Sequence, residues 1–208
     1  MINVSIAGIG GQGSVLAARI LAQAAEAKGW QVRSAETIGM AQRGGDVMSH
    51  VRMGNAGEEV FSPLPAKGTV DVLIALEPGE AARALPYLKE NGLLVVASTG
   101  IPPVMANFKR QTYDPQHLID DMQAAGVKMV VVDDAELVHR LGEPKALNVM
   151  MLAYAIIAVN KREDRVDNAL RGAITLEDIE AAIPLCVKRK LVSVNEKAIK
   201  VVQQAARV

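Results

Sequence analysis

The chain has 208 residues, of which 50% are hydrophobic, 22% are charged and 3% are aromatic. This composition is typical of a globular protein with a substantial core, and we expect a single domain over residues 1–208. The 23 basic and 23 acidic side chains cancel, which excludes the global field that attracts nucleic acid or anionic lipid.

The first half of the chain alternates predicted strands with predicted helices. Residues 2–7 form a continuous apolar strand, residues 8–13 a glycine-rich turn, and residues 14–28 a periodic helix that Gly29 can end. Further strands are predicted at residues 31–35, 47–53, 71–76 and 92–98, with a helix over residues 79–91. This alternation indicates a parallel or mixed sheet with helices on its faces.

The second half is mainly helical. Residues 115–125 predict a helix and residues 127–134 a strand, and residues 145–160 predict a buried helix. Thr175 and Asp178 form a potential capping box at the next helix, and an amphipathic helix ends the chain. We therefore expect a three-layer, Rossmann-like α/β fold with helices on both sheet faces and a helical C-terminal part.

The sequence also limits cofactors and location. Cys186 is the single cysteine, so the chain alone cannot form a disulfide or a cysteine-ligated iron–sulfur site, and any redox metal must lie in another chain. The amino terminus lacks the features of a secretory signal. The most hydrophobic stretch, residues 149–159, is too short to span a bilayer. We expect a cytoplasmic protein.

The turn after the first strand carries a G-x-G-x-x-G spacing at Gly8, Gly10 and Gly13. Glycines there let backbone N–H groups reach a phosphate at a helix N-terminus. Glu36 stands where a dinucleotide-binding enzyme would hold the ribose. An NAD-dependent oxidoreductase, a non-enzymatic nucleotide-binding module and a turn that serves only packing all remain open. We also expect that Gly10 and Gly11 leave no room for a Cβ.

The following stretch, ETIGMAQRGGDVMSHVR over residues 36–52, departs from the dinucleotide pattern. It is a polar, glycine-rich loop leading into a strand, where a dinucleotide-binding unit would normally continue into a helix. Arg43 can bind a phosphate or carboxylate through two hydrogen bonds, or pair with a partner subunit. The strand puts His50 and Arg52 on one face. His50 can titrate near neutral pH or serve as a structural hydrogen-bonding group, and Arg52 can extend an anion site or be a solvated strand charge.

Several other polar positions have both a structural and a functional interpretation. Glu77 and Glu80 follow a strand end, where they can cap a helix or face a ligand. Asn148 fits buried capping, Cys186 fits an apolar contact, and residues 188–190 (KRK) fit a solvated helix start or a partner contact.

Four segments together resemble the small subunit of 2-oxoacid:ferredoxin oxidoreductases. They are GIGGQG, ETIGMAQRGGDVMSHVR, FSPLPAKGTVDVLIALEPGEAARALPYLKENG and LGEPKALNVMMLAYAI. The segment AQRGG, residues 41–45, is most similar to the indolepyruvate branch of this family. The resemblance implies oxidative decarboxylation of a 2-oxoacid on thiamine diphosphate, with electrons passed through iron–sulfur clusters to ferredoxin and an acyl-CoA released.

The resemblance also implies that the two subunits have different roles. A larger partner subunit would hold thiamine diphosphate and the iron–sulfur clusters, and this chain would assist assembly and CoA handling while being inactive alone. The residues expected to contact CoA or another ligand are Gly8, Gly10, Gly11, Gln12, Gly13, Thr37, Met40, Arg43, Gly44 and Gly45. We expect no tightly bound cofactor in this chain alone. We also expect the isolated chain to form a homodimer through an uncovered surface of residues 149–159.

Overall fold

A six-stranded mixed sheet lies at the centre of the fold. The structure, a computed structural model, describes residues 1–39, 45–102, 112–161 and 169–206. The strands are β1 Ile2–Ile9, β2 Gln31–Ile38, β3 Asp46–Gly54, β4 Val70–Ala75, β5 Leu88–Ala97 and β6 Met129–Val132. Their order is β2-β3-β1-β4-β5-β6. Strand β3 is antiparallel to both β1 and β2, and the pairings β1–β4, β4–β5 and β5–β6 are parallel.

Helices cover both faces of this sheet. They are α1 Ser14–Ala27, α2 Pro78–Ala84, α3 Pro115–Ala124, α4 Asp134–Leu141, α5 Leu147–Lys161, α6 Leu176–Cys186 and α7 Arg189–Ala205. One core cluster joins the sheet to α1 and to α4–α7, and a second joins the opposite face to α2 and α3. The expected three-layer α/β fold with a helical C-terminal part is confirmed.

Several boundaries differ from the sequence prediction. Residues 79–91 do not form one helix, because α2 ends at Ala84, a short 3-10 turn covers Leu85–Tyr87 and β5 begins at Leu88. Pro86 cannot donate the hydrogen bond that would continue the helix, and Leu88 pairs with Val70 of β4 instead. Strand β1 includes Gly8 and Ile9, so the turn is shorter than expected. The capping box of Thr175 and Asp178 is confirmed.

Helix α5 is hydrophobic on every side because its own chain encloses it. It contacts β4, β5, α1, α4, α6 and α7. The residues of 149–159 are buried except for Tyr154 and Ile157, which are half-buried. The expected uncovered surface on this helix is therefore wrong, and a dimer would need another surface. Within the described residues, no helix has the length and hydropathy needed to cross a membrane.

Candidate functional site

The predicted glycine loop lies at the carboxyl end of β1, immediately before α1. In parallel α/β sheets, this edge is where ligands usually bind. The β2–β3 connection reaches the same place, because the Gly10 N–H donates to the Gly45 carbonyl at 2.8 Å. The Gly39 N–H donates to the Asp46 carbonyl, also at 2.8 Å. The structure thus brings the two glycine-rich segments of the sequence into contact.

The inner half of the loop, which we define as Gly8, Gln12 and Gly13, is fixed to the core. Gln12 Oε1 accepts from the Ile9 N–H at 2.7 Å, and Gln12 Nε2 donates to the Leu76 carbonyl at 2.9 Å. A Cβ added at Gly8 would lie 2.9 Å from Gln12 Oε1 and 3.2 Å from the Leu76 Cβ. The Gln12 amide therefore positions the loop between β1 and β4.

Gly13 is the position of the inner half where an added Cβ would come closest to another atom. It caps α1 in the left-handed conformation, with φ 85°. Asn148 Nδ2 donates to the Gly13 carbonyl at 2.9 Å, and a Cβ at Gly13 would lie 2.1 Å from that nitrogen. Buried Asn148 also accepts from the Val149 N–H through its Oδ1. Its role is to join the start of α5 to the start of α1.

The outer half of the loop, defined as Gly10 and Gly11, faces solvent. A Cβ at Gly11 would meet nothing within 4 Å, and one at Gly10 would lie 3.5 Å from the Gly45 carbonyl oxygen. The expectation that a Cβ would collide at these two positions is therefore wrong. What restricts Gly11 is its φ of 103°, which side-chain-bearing residues rarely adopt.

The start of α1 leaves backbone donors available. Its N-cap residue is Gly13, which has no side chain to cap the helix. Among the described residues, the amide N–H groups of Gly11, Ser14 and Val15 have no acceptor. Unpaired N–H groups and the helix dipole both favour a negative group at this position. The exposed outer half thus has the chemistry of an anion contact.

The remaining predicted ligand residues divide into three groups. Gly45 is buried beside Gly10, at the loop. Thr37 is exposed near the carboxyl end of β2 and is separated from β1 by β3. Met40, Arg43 and Gly44 lie outside the described residues.

Glu36 does not stand where a dinucleotide ribose would need it. Strand β3 separates β2 from β1, which puts Glu36 about 10 Å from β1 across the sheet. Glu36 pairs with Ser49, which pairs with Ile6, so Glu36 is level with a residue before the loop begins. In a dinucleotide-binding unit the acidic residue ends a strand beside β1. The insertion of β3 therefore removes the geometric support for NAD binding.

His50 and Arg52 have structural partners. The Ser5 hydroxyl and His50 Nδ1 are 2.9 Å apart in the core, and burial lowers the pKa of His50. The His50 ring lies 5.7 Å from the Tyr87 ring. Arg52 donates to Asn3 Oδ1 at 3.0 Å and to the Ser62 carbonyl at 2.8 Å. Both residues hold the β1–β3 region together.

A carboxylate cluster borders the loop on the β4 side. Glu77 is 2% exposed, and its carboxylate accepts from the Glu80 N–H at 2.9 Å, from the Ile101 N–H at 3.3 Å and from the Tyr113 hydroxyl. Burial raises the pKa of Glu80, with Arg83 opposing and Asp46 and Glu77 adding to the rise. Burial and the bond to Glu77 raise the pKa of Tyr113. The capping role of Glu77 is confirmed.

Sequence reasoning missed Tyr113, which has no motif around it and reaches Glu77 from 36 positions away.

The remaining candidates have simple explanations. Cys186 is half-buried, burial raises its pKa, and its Sγ lies 3.7 Å from the Arg19 carbonyl oxygen. Lys188, Arg189 and Lys190 are exposed at the start of α7. Residues that could together hold a metal ion are absent from the described part of the chain.

The chain is similar to curated small subunits over its whole length. It is 32% identical to the indolepyruvate oxidoreductase subunit IorB of Archaeoglobus fulgidus, covering 96% of this chain and 92% of that protein. It is 25% identical to the pyruvate/ketoisovalerate oxidoreductases common subunit gamma of Pyrococcus furiosus, covering 88% of this chain and 94% of that one.

Solved structures have the same fold. The keto/oxoacid ferredoxin oxidoreductase gamma subunit of Geobacter sulfurreducens aligns over 100% of both chains with a TM-score of 0.68 and 22% identity. The 2-oxoglutarate:ferredoxin oxidoreductase of Magnetococcus marinus, solved with 2-oxoglutarate, coenzyme A and succinyl-CoA bound, aligns over 99% of this chain and 31% of its own, with a TM-score of 0.67 and 16% identity. Residues 3–208 match the family Pyruvate ferredoxin/flavodoxin oxidoreductase. The chain belongs to this family and is a subunit of a 2-oxoacid ferredoxin oxidoreductase.

Proposed function

We propose that this chain is the small subunit of an indolepyruvate-type ferredoxin oxidoreductase and that its glycine loop contacts CoA in the assembled enzyme. The observation that carries the indolepyruvate assignment is the full-length similarity, at 32% and 31% identity, to subunits named for that substrate. The pyruvate-type subunits are 25% identical. The reaction is the oxidative decarboxylation of a 2-oxoacid to an acyl-CoA, with electrons delivered to ferredoxin.

The cofactors of this reaction belong to the larger partner subunit in our proposal. One cysteine cannot ligate a cluster that needs several thiolates. The chain also lacks a G-D-G motif with a following Asn, the pattern expected for a metal-held diphosphate. The larger subunit supplies thiamine diphosphate and iron–sulfur clusters, and ferredoxin docks through the complex. We place this assembly in the cytoplasm.

CoA carries phosphate groups, and the outer half of the loop suits such a group. Gly10 and Gly11 are exposed, and the amides of Gly11, Ser14 and Val15 have no acceptor among the described residues. The nearby Glu77 and Glu80 carboxylates oppose a free anion. A positive group must offset them, and Arg43 on the β2–β3 connection is the residue we propose for it.

Co-expression with a cysteine-rich partner subunit tests the function. We expect a brown complex that reduces ferredoxin in a reaction requiring both CoA and a 2-oxoacid, with a higher kcat/KM for indolepyruvate than for pyruvate. The isolated chain should be colourless and inactive. Turnover by the isolated chain, or a preference for pyruvate, would contradict the assignment. A thermal shift with NAD would instead support a dehydrogenase.

The CoA contact has a matched control within the chain. Gly11 and Gly57 are both exposed, have φ of 103° and 83°, and leave open space around an added Cβ. Gly11→Ala and Gly57→Ala therefore introduce similar backbone strain at different places. We expect only Gly11→Ala, together with Arg43→Ala, to raise the KM for CoA in the assembled enzyme. Equal KM values in all three variants would make the loop purely structural.

A further inference from the structure

Strand β2 is an unusually open sheet edge. It ends the strand order, and six of its eight residues, over Gln31–Ile38, are exposed. Its sequence, QVRSAETI, contains no lysine or proline, and its two charged residues, Arg33 and Glu36, have opposite signs. An exposed edge of this length is a template for pairing with a strand that opposes neither charge with a like one.

We propose that β2 pairs antiparallel with β2 of a second copy of this chain, about a two-fold axis at Ala35. This inference goes beyond the proposed function and does not depend on it. The Gly39 N–H donates to the Asp46 carbonyl of β3. Because the backbone groups of successive residues point to alternate edges of a strand, those of Ala35 and Thr37 face β3 as well. The backbone groups of Ser34, Glu36 and Ile38 then point to the open edge, where a second strand can bond them.

The side chains select this register. A two-fold axis perpendicular to the sheet leaves the same face of both strands on the same side of the joined sheet. An odd-numbered residue can therefore lie opposite only an odd-numbered residue, and an even-numbered one opposite only an even-numbered one. With the axis at Ala35, Ser34 lies opposite Glu36 of the second copy, and Val32 lies opposite its Ile38. Moving the axis to Arg33 or to Glu36 would oppose like charges, and moving it to Ser34 would put Val32 opposite a carboxylate.

The ends of the edge are also complementary. Ile38 and Phe61 are the two most exposed large hydrophobic residues described, at 67% and 86%. Ile38 ends β2, whereas Phe61 follows Val60, whose N–H donates to the Gln31 side chain at the start of β2. Antiparallel pairing brings the Ile38 end of each copy to the Phe61 end of the other, which would shield both side chains.

The helical layer fits the same axis. A groove of about 310 Å³ runs between α1 and β2, lined by Ser34 and Glu36 and, on α1, by Val15, Ala18, Arg19, Ala22, Gln23 and Glu26. Exposed Arg19 and Glu26 both line this groove, seven positions apart on α1, so a two-fold axis that passes between them would bring each to the opposite charge.

Cysteine crosslinking tests the register directly. In a Cys186→Ser background, Ala35→Cys should give a disulfide-linked dimer on mild oxidation, because residues facing across a non-hydrogen-bonded pair have Cα atoms within disulfide range. Thr37→Cys on the same face should not crosslink, because the two copies of residue 37 would stand on the order of 13 Å apart. Crosslinking of both variants alike, or of neither, would overturn the pairing.

Charge reversal tests the same dimer without added cysteines. By sedimentation equilibrium, Arg19→Glu or Glu26→Arg alone should raise the dimer dissociation constant about tenfold, since each breaks two symmetric ion pairs. The double variant should restore it. A strict monomer at 100 µM, or a dimer indifferent to all three variants, would overturn the proposal. A single copy bound to the larger subunit through β2, with no Ala35→Cys crosslink in that complex, would also overturn it.

Discussion

The two halves of the glycine loop share one motif but have different environments. The inner half, Gly8, Gln12 and Gly13, is held by hydrogen bonds to distant parts of the sequence: Gln12 donates to the Leu76 carbonyl, and Asn148 donates to the Gly13 carbonyl. The outer half, Gly10 and Gly11, is exposed, and a Cβ at Gly11 would meet nothing. The spacing of glycines therefore combines two separate requirements, one for close packing and one for open backbone. The outer half is the more exposed of the two.

The largest effect on stability is expected at Gly13, in the inner half. Gly13→Ala places a Cβ 2.1 Å from Asn148 Nδ2 and keeps a left-handed φ of 85°. Overpacking and backbone strain together should lower the free energy of unfolding by about 3 kcal/mol or more. Denaturant unfolding of the isolated chain measures this. A loss below about 1 kcal/mol would show that the inner half is not constrained by packing.

A smaller effect is expected when the Asn148 side chain is removed. Asn148→Ala removes one donor from the Gly13 carbonyl, which still accepts from the Leu16 and Ala17 N–H groups, so it should cost about 1.5 kcal/mol. It also removes the atom that an alanine at position 13 would meet. In a double-mutant cycle, Gly13→Ala should therefore cost less in the Asn148→Ala background. Strict additivity would contradict the direct contact.

The outer half should respond weakly in stability. Gly11→Ala and Gly57→Ala each add a Cβ in open space at a positive φ, so each should cost about 1 kcal/mol of unfolding free energy. The same denaturant measurement applies. Agreement between the two variants would mean that Gly11 carries strain alone, without a packing role. A much larger loss for Gly11→Ala would place it with the inner half.

The smallest effect concerns the carboxylates beside the loop. Burial raises the pKa of Glu80 in the folded state. The stability that protonated Glu80 contributes is therefore present below the ordinary carboxyl pKa and is lost as pH rises through the raised one. Glu80→Gln should become more stable relative to the parent as pH increases over that window. Unfolding curves between pH 4 and 7 measure this, and a difference that shrinks with pH would contradict the assignment.

The sequence predicted the fold class because apolar runs and helical periodicity determine which elements form. It located the loop because the glycine spacing begins at Gly8, near the end of a strand, and ends at Gly13, immediately before a helix. It could not separate the two halves of the loop, because that distinction depends on Asn148, 135 positions away.

The order of the strands in the sheet also could not be predicted from the sequence. Pairing between β3 and β1 moves Glu36 away from the loop, and no local pattern reports which strands are neighbours. The interpretation of α5 failed for a related reason. Its hydrophobic surface is covered by elements that precede it in the chain, such as β4 and β5, and by α6 and α7, which follow it.

Hydrogen exchange in the assembled enzyme tests most directly whether the outer half contacts the ligand. The backbone amides of Gly11, Ser14 and Val15 should exchange more slowly with saturating CoA than without it, because a bound phosphate would accept N–H groups that have no acceptor among the described residues. Peptides over the Gly57 turn serve as the reference and should not change. Unchanged exchange at residues 10–15, in an enzyme that still turns over with CoA, would contradict the account.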